Sequence, residues 1–446
     1  MIPLEGRMIP GLDEFMLRIG HLKVLCSAAR EAGSSWFRIR RETAAVLTRP
    51  TPVPETVKAN VAEYLKRKRL SQVVRSGERE AAAGDRLGYR YPDIFVECSE
   101  TGIPRIRRSA GVEKPIELWW QDVCLASPRI KSRVGAVTAS AKSGSKTGLS
   151  HICDWAEFLG LIGKAGEISP IGRLIVDLSH SKDRGSDVNP YVIGWERLAF
   201  AYVSLSADID LFSRFARKLY EAESPIRKAQ GTELFVNVVS ALAQEARDAR
   251  YLSAGRKQRI FENMRDLESA SKHGKHAITS TSTAWHRVSS RLETYTDLNL
   301  LEKGRKDEAE LYEYVYYPSP SLARAVRTLE SSRDATDWIE THLTSVILDA
   351  DCSCETLPQD IVLRSLPPII SAIGRPSGPQ PIEALAVGLA CAQAGSGNVV
   401  SLGACRGSLE SLAHQRPDIG RLSRGGSGDR AEYISFDLRK LEEASS

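Results

Sequence analysis

The strongest constraint on the fold is the order of patterns in residues 285–317, WHRVSSRLETYTDLNLLEKGRKDEAELYEYVYY. Val288, Leu292 and Tyr295 stand at i, i+4 and i+7, so they lie on one face of a helix of about four turns. The basic, glycine-bearing turn Lys303–Lys306 follows, and then a run of β-forming residues that a proline ends. This order predicts a helix, a short strand, a turn and a returning strand.

A similar order of patterns recurs at three other places in the chain. Near the N-terminus, two helical stretches (HLKVLCSAAREAG and SSWFRIRRETAAVL) lead to a third, VPETVKANVAEYLKRKRL, then to the β-like run LSQVV and the returning strand LGYRYPDIFV. In the middle, KTGLSHICDWAEFLG predicts a helix, GKAGE a turn and ISPIGRLI a return into the next helix. Near the C-terminus, the helix PIEALAVGLACAQA, the short strand NVVSL and the helix GACRGSLESLAHQRP precede a hairpin around GGSGD.

The order of helix, short strand, basic turn and strand resembles the second half of a winged helix-turn-helix domain, and the resemblance covers residues 256–330. In that family the helix before the wing lies in the DNA major groove, and the hairpin tip touches neighbouring phosphates or the minor groove. The resemblance is one of pattern, without a fixed motif. It implies tandem winged-helix domains and, more loosely, an accessory protein of a bacterial DNA-modification or anti-phage defence island.

The patterns predict a mainly α protein with short β-hairpins (α+β), in which several winged-helix-like units surround a central helical region. A chain of 446 residues is long enough for several domains. The expected units are an N-terminal winged-helix-like unit (1–110), a second one (111–185), a helical bundle or spacer (186–255), a winged helix (256–332), a helical connector (333–380) and a C-terminal winged-helix-like unit with a hairpin (381–446).

Duplex DNA is the partner that the resemblance implies. Arg and Lys neutralise phosphates, and Arg can fork onto a guanine edge. The expected DNA-binding residues are Trp285, His286, Arg287 and Arg291 on the helix; Lys303, Arg305 and Lys306 at the wing tip; and Lys58, Lys66, Arg67, Lys142, Lys146, Arg424 and Arg430 in the other units. Two alternatives stay open: the basic run at 66–69 also suits a cationic helix C-terminus, and Arg424 and Arg430 also suit ion pairs with Asp429 and Glu432.

The charge distribution favours local patches over a uniformly basic surface. The net charge of +5 is small for this length. Residues 1–92 carry 17 Lys+Arg and 10 Asp+Glu, a net of +7, so the remaining residues carry a net of −2. The stretches 123–153 and 269–292 contain no acidic residue. Nucleic-acid binding is therefore expected at these places.

No catalytic constellation is recognisable in the sequence. A P-loop, a dinucleotide fingerprint, HExxH and GxSxG are all missing, and GGSGD lacks the Lys-Ser/Thr of a phosphate-cradling loop. His273 and His276 lack a third ligand and are expected as surface histidines. Asp93 and Glu97, or Asp297 with Glu302, resemble pieces of a nuclease metal site without its lysine in place. Neither an enzyme nor a cofactor or metal is therefore expected.

The remaining signals concern location. No run of residues approaches the ~20 apolar residues of a membrane span, and MIPLEGRMIPGLDEF lacks the apolar core of a signal peptide. Eight scattered cysteines fit reduced thiols in a cytoplasm. The repeated MIP suggests the hypothesis that translation also starts at Met8.

The sequence thus favours a non-enzymatic, multivalent, cytoplasmic DNA-binding protein that recruits or positions a partner enzyme of the same complex. When several weak contacts are linked in one chain, the first contact raises the effective concentration of DNA at the remaining ones. The alternatives are an interaction scaffold whose winged helices bind protein, a homodimeric repressor with a ligand pocket in the helical middle, and a divergent nuclease. Self-association is left open.

Overall fold

The structure is a computed structural model of the whole chain. It describes residues 2–9, 19–48, 87–89, 94–98, 104–107, 113–115, 148–180, 192, 194–222, 224–272, 283–305, 314–352, 356–374, 378–424 and 431–445. The predicted third N-terminal helix, the run LSQVV, the two histidines of SKHGKH and the GGSGD tip lie outside these residues. Among the helices that the structure describes, none is both long enough and apolar enough to cross a bilayer.

The N-terminal part combines two helices with a small meander of strands. The two predicted helices are confirmed as α1 (His21–Ala32) and α2 (Trp36–Thr48). Four short antiparallel strands pair in chain order: β1 (Leu87–Tyr89), β2 (Ile94–Cys98), β3 (Pro104–Arg107) and β4 (Glu113–Pro115). The prediction of one returning strand in LGYRYPDIFV was therefore wrong, because the chain reverses within it and its two halves pair as β1 and β2.

The middle repeat forms two helices joined by a tight turn. The predicted helix is confirmed as α3 (Gly148–Phe158), and the return is α4 (Pro170–His180). Between them, Ile162 and Ile168 form an isolated antiparallel bridge. Ile152 and Trp155, which stand at i and i+3 on this helix, are buried, so the helix packs one face on the core.

The central part is helical and contains the first three-stranded sheet. Its elements follow one another as α5 (Glu196–Ala207), α6 (Ile209–Glu221), β5 (Ile226–Arg227), α7 (Lys228–Asp248), α8 (Ala254–Lys272), α9 (Thr283–Asp297), β6 (Leu301–Arg305) and β7 (Tyr314–Pro318). The strands are antiparallel in the order β5-β7-β6. In residues 285–317 the predicted helix and the two antiparallel strands are confirmed. The predicted turn at Lys303–Lys306 is wrong in position, because Lys303, Gly304 and Arg305 lie in β6 and pair with β7.

The C-terminal part contains the second three-stranded sheet. Its elements are α10 (Pro320–Ser331), α11 (Ala335–Thr341), α12 (Leu343–Leu348), α13 (Gln359–Ile373), β8 (Gln380–Pro381), α14 (Ile382–Gly395), α15 (Leu402–Gln415), β9 (Gly420–Arg424), β10 (Ala431–Phe436) and α16 (Leu438–Ser445). The predicted hairpin is confirmed. The predicted strand NVVSL is wrong, because this segment connects two helices and Ser401 caps α15 by accepting from the Ala404 amide.

The two three-stranded sheets share one arrangement. In each, a two-residue strand precedes a helix and pairs with the second strand of the later hairpin, in the orders β5-β7-β6 and β8-β10-β9. The described residues are mainly helical with short antiparallel strands, so the predicted fold class is confirmed.

An aromatic cluster joins the helices of the central part to α11. The ring of Phe212 on α6 lies 5.5 Å from those of Tyr295 and Trp338, and Phe215 lies 5.9 Å from Phe235. The edge-on contacts of Phe212 with Tyr295 and of Phe215 with Phe235 have the geometry that aromatic quadrupoles favour, and the Trp338 ring is tilted. Helix α9 therefore contributes to the centre of the core through Tyr295.

The N-terminal segment, residues 2–9, is held inside the helical body by buried charged groups. The carboxylate of Asp210 accepts the amides of Glu5 and Arg7 at 2.9 and 2.7 Å. The carboxylate of Asp208 accepts the amide of Ile9 at 2.7 Å. An extended segment has no helical or sheet partner for its amides, so these carboxylates satisfy groups that would otherwise be costly to bury. A chain starting at Met8 would lack the two amides that bind Asp210.

We expect Asp210→Asn to lower the free energy of unfolding by about 1–3 kcal/mol, because an amide N–H group then faces a backbone N–H in a buried site. Urea denaturation measures the loss, and limited proteolysis tests whether the N-terminal segment becomes accessible. Asp360→Asn, on the exposed side of α13, is the matched control and should stay within ~0.5 kcal/mol of the original protein. Equal stability of both variants would contradict the anchoring role of Asp210.

Candidate nucleic-acid interface

Helix α9, the expected reader of DNA, is buried along both of its predicted faces. Val288 and Leu292 are inaccessible to solvent, as their spacing predicted. Arg287 and Arg291, however, are only 5% and 3% exposed, and Ser290 between them is fully buried. The expectation that these arginines face bases or phosphates is therefore wrong. The polar side of α9 packs against other parts of the same chain.

The inward position of Arg291 has a specific cause. Its Nε lies 3.0 Å from the Asp208 carboxylate, and both side chains are almost fully buried. Its Nη2 donates to the carbonyl of Ile9 at 3.3 Å, and the guanidinium lies over the Phe235 ring at 5.2 Å from the centroid. An arginine with these contacts cannot reach a phosphate without breaking a buried ion pair.

The same group of residues shows perturbed ionisation. Burial raises the pKa of Asp208, while the positive charge of Arg291 and the amide of Ile9 lower it. Burial and the nearby Asp208 also raise the pKa of the Tyr295 phenol above its ordinary range. These shifts arise from a low-dielectric interior, where unpaired charge is costly. Together with the 3.0 Å contact between Arg291 and Asp208, the burial of both side chains indicates a structural ion pair.

The other predicted residues of this unit are described only by their backbone or not at all. Trp285 and His286 belong to α9, and Lys303 and Arg305 to β6, but their side chains lie outside the described part. The remaining expected contacts that lie outside it are Lys58, Lys66, Arg67, Lys142, Lys146, Lys306 and Arg430. Their predicted contacts with DNA stay predictions.

The C-terminal hairpin does present a positive charge to solvent. Arg424 ends β9 and is exposed, as is Arg421 on the same strand. Leu422 between them packs against the core, whereas Arg421, Ser423 and Arg424 are exposed. The predicted position of Arg424 at a basic hairpin is thus consistent with the described geometry.

A second basic surface lies on α2, which we call the α2 face. Its members are Phe37, Arg38, Arg40 and Arg41, and all four are exposed. They fall within one arc of the helix, while Ile39 and Thr43 on the opposite arc are fully buried. Phe37 is 69% exposed, so the α2 face combines three arginines with one large apolar side chain.

Helix α2 is held in place by the turn between α3 and α4. The indole Nε1 of Trp36 donates to the carbonyl of Lys164 at 2.9 Å, and Arg40 stacks on the Trp36 ring at 5.9 Å. Burial raises the pKa of the Cys153 thiol to about 11, and the Arg40 guanidinium beside it opposes that shift. This turn exposes both Lys164 and Glu167, so it adds no net charge beside α2.

Two of the arginines on this face have little or no pairing with acidic side chains that would compete with a phosphate. Arg41 pairs with its neighbour Glu42 at 3.1 Å, a solvent-exposed contact of small energy. Arg38 has no acidic partner among the residues that the structure describes. The sequence prediction overlooked these arginines and assigned phosphate contact to the basic end of the following helix. The run WFRIRR was the available signal, since it interleaves aromatic and basic residues.

No metal site accompanies these surfaces within the described residues, where no cluster of three or more His, Cys, Asp or Glu could hold an ion. Asp297, one of the acids weighed for a nuclease, is buried and accepts the amide of Ile19 at 3.1 Å. That contact gives Asp297 a structural role.

We expect Arg291→Ala to lower the free energy of unfolding by about 3–5 kcal/mol, since it leaves the Asp208 carboxylate buried without its cation. Denaturant unfolding followed by circular dichroism measures this loss. Arg247→Ala, at an exposed position of α7, is the matched control and should change stability by less than ~0.5 kcal/mol. A fully stable Arg291→Ala variant would contradict the internal ion pair.

No protein-family model, no curated protein and no solved structure matches this chain. The roles of the α2 face and the C-terminal hairpin are therefore inferred from their own geometry and charge.

Proposed function

We propose that this chain binds duplex DNA through the α2 face, with the C-terminal hairpin as a second contact, and that it positions a partner on the DNA. The observation that carries the proposal is the exposed arc of three arginines and one phenylalanine on α2. Arginines at this spacing can contact successive phosphates, and such contacts supply most of the affinity for nucleic acid.

The charge of the surrounding sequence supports this choice of surface. The α2 face belongs to residues 1–92, which carry the net charge of +7, whereas the rest of the chain is slightly acidic. An anionic partner is therefore attracted to the N-terminal part and repelled on average elsewhere. The shared arrangement of the two three-stranded sheets supports the resemblance to winged helices, and Arg421 and Arg424 occupy a hairpin of that arrangement.

Because α9 is buried, the proposed DNA contacts differ from those of winged-helix proteins. The helix that reads bases in that family is part of the core in this chain, so we assign it to stability. DNA contact then rests on phosphate-binding surfaces at the two ends of the chain. Such contacts position a protein on DNA without reading its sequence. Recruitment of a partner enzyme, within a defence or DNA-modification system, remains part of the proposal.

We expect Arg38→Ala combined with Arg41→Ala to weaken binding to a short DNA duplex at least tenfold, because two phosphate contacts are lost. Fluorescence anisotropy at fixed salt measures the affinity, and thermal unfolding verifies that the protein stays folded. Arg247→Ala combined with Arg327→Ala removes two exposed arginines from other helices and is the matched control. Equal affinities of both double variants would move the interface away from α2.

Salt dependence separates DNA binding from an interaction scaffold. The slope of log affinity against log salt should fall in magnitude by about 0.9 for each phosphate contact removed, so by roughly 1.8 in the α2 double variant. Single-stranded DNA and RNA of equal length serve as competitors. Undetectable binding of every nucleic acid by the original protein would favour the scaffold, in which the α2 face binds a protein.

A further inference from the structure

A cavity of about 220 Å³ lies in the helical body, away from the α2 face. Four helices and the N-terminal segment form its walls. Each helix contributes residues at i, i+3 or i+4, so one face of each is turned to the cavity. These residues are Tyr202 and Ser206 on α5; Thr336, Ile339 and Glu340 on α11; Glu383, Ala386 and Val387 on α14; and Leu402 and Arg406 on α15; Arg7 comes from the N-terminal segment.

Two cations and two anions line the cavity, so its lining carries no net charge. Arg406 is deepest: its side chain is 5% exposed, its Nη1 donates to Glu383 at 2.7 Å and its Nε to Glu410 at 3.0 Å. Arg7 is at the mouth, with its side chain 41% exposed and its Nε 3.0 Å from Glu5. Both positive and negative groups therefore line the same small space.

Neutral groups complete the wall. The side chains of Ile339, Ala386, Val387 and Leu402 provide an apolar surface. The hydroxyl of Ser206 is buried at the wall without a hydrogen-bond partner in the described structure. Burial raises the pKa of the Tyr202 phenol to about 12, and the adjacent Glu383 adds to this shift, so the phenol stays protonated and can donate a hydrogen bond. A buried polar atom without a partner is uncommon in a native structure and is typically satisfied by water or ligand.

We propose that this cavity binds a small zwitterion of the α-amino-acid type, which carries an ammonium and a carboxylate on one carbon and a short apolar side chain. The carboxylate would meet Arg7 at the exposed mouth, and the ammonium would meet Glu340 and Glu383, while Arg406 stays paired with Glu383 and Glu410. The apolar side chain would lie against the aliphatic wall. The hydroxyls of Ser206 and Tyr202 supply further polar contacts.

The charges argue against the simpler ligand classes. An anion that meets the two arginines is also brought close to the two glutamates, and a cation meets the reverse arrangement. A zwitterion offers one group of each sign to this mixed lining of arginines and glutamates. The volume lies below the ~300–1,000 Å³ of sites for drug-sized ligands, so a compact molecule is indicated.

This site does not depend on DNA binding. A pocket in the helical body is what the repressor interpretation of the sequence expects, yet its residues are separate from the α2 face. Loss of either activity can therefore be measured without the other. A failed test of amino-acid binding would not contradict DNA binding, and a failed test of DNA binding would not contradict amino-acid binding.

The proposal is tested by isothermal titration calorimetry on the full chain with L-alanine, L-valine and L-leucine as probes. At least one of them should bind, and its two half-analogues should bind at least tenfold more weakly. For L-leucine these analogues are isoamylamine, which lacks the carboxylate, and 4-methylpentanoate, which lacks the ammonium. Absence of binding by all three amino acids, or equal binding of a half-analogue, would overturn the proposal.

Variants locate the binding at the cavity. Thr336→Trp, on the cavity side of α11, should fill the space and reduce the affinity at least tenfold, while Thr341→Trp, at the exposed end of the same helix, should leave it unchanged. Arg7→Met removes one cation at the exposed mouth and should weaken the amino acid more than isoamylamine. Thermal unfolding verifies that each variant is folded. Unchanged amino-acid affinity in both Thr336→Trp and Arg7→Met would place the binding elsewhere and overturn the assignment.

Discussion

The buried ion pair between Asp208 and Arg291 is the interaction on which the arrangement of this protein depends. It joins the junction of α5 and α6 to α9 at 3.0 Å, and both partners also bind the backbone of Ile9. Three parts of the chain that are distant in sequence thus meet at one pair of charges. The ion pair contributes little net free energy when it forms, but breaking it is costly, because either charge alone would then be left in a low-dielectric interior. The N-terminal segment is thereby as much a part of the core as the helices are.

The sequence contains enough information for most helices and both hairpins, because these depend on local periodicity. The stripe of Val288, Leu292 and Tyr295 correctly indicated a helix and the side on which it is buried. The same pattern could not show that Arg287 and Arg291 are buried as well. Amphipathic spacing assumes that polar residues face water, whereas here the polar side meets Asp208, which is 83 positions away from Arg291. Partners at that separation leave no periodic trace in the sequence.

The candidate surfaces differ in how far they could be predicted. The exposed arginine of the C-terminal hairpin was expected, since a strand end beside a glycine-rich turn has to face solvent. The α2 face was overlooked, although Phe37 and the arginines around it are adjacent in the sequence. The cavity could not have been predicted at all. Its wall takes one to three residues from each of five separate segments, and only their packing brings Arg7 close to Arg406.

Among the described residues, Arg291 and Arg406 differ from the arginines of α2 in burial and in physical role. Arg291 and Arg406 are held by carboxylates in the interior, so their charge is already compensated and contributes little to the field outside. The arginines of α2 stand in water, where a phosphate can displace solvent and counter-ions from them. The N-terminal segment connects the interior sites. The amide of Arg7 binds Asp210 while its side chain lines the cavity, so a group bound at the cavity mouth would contact the same segment that closes the buried network.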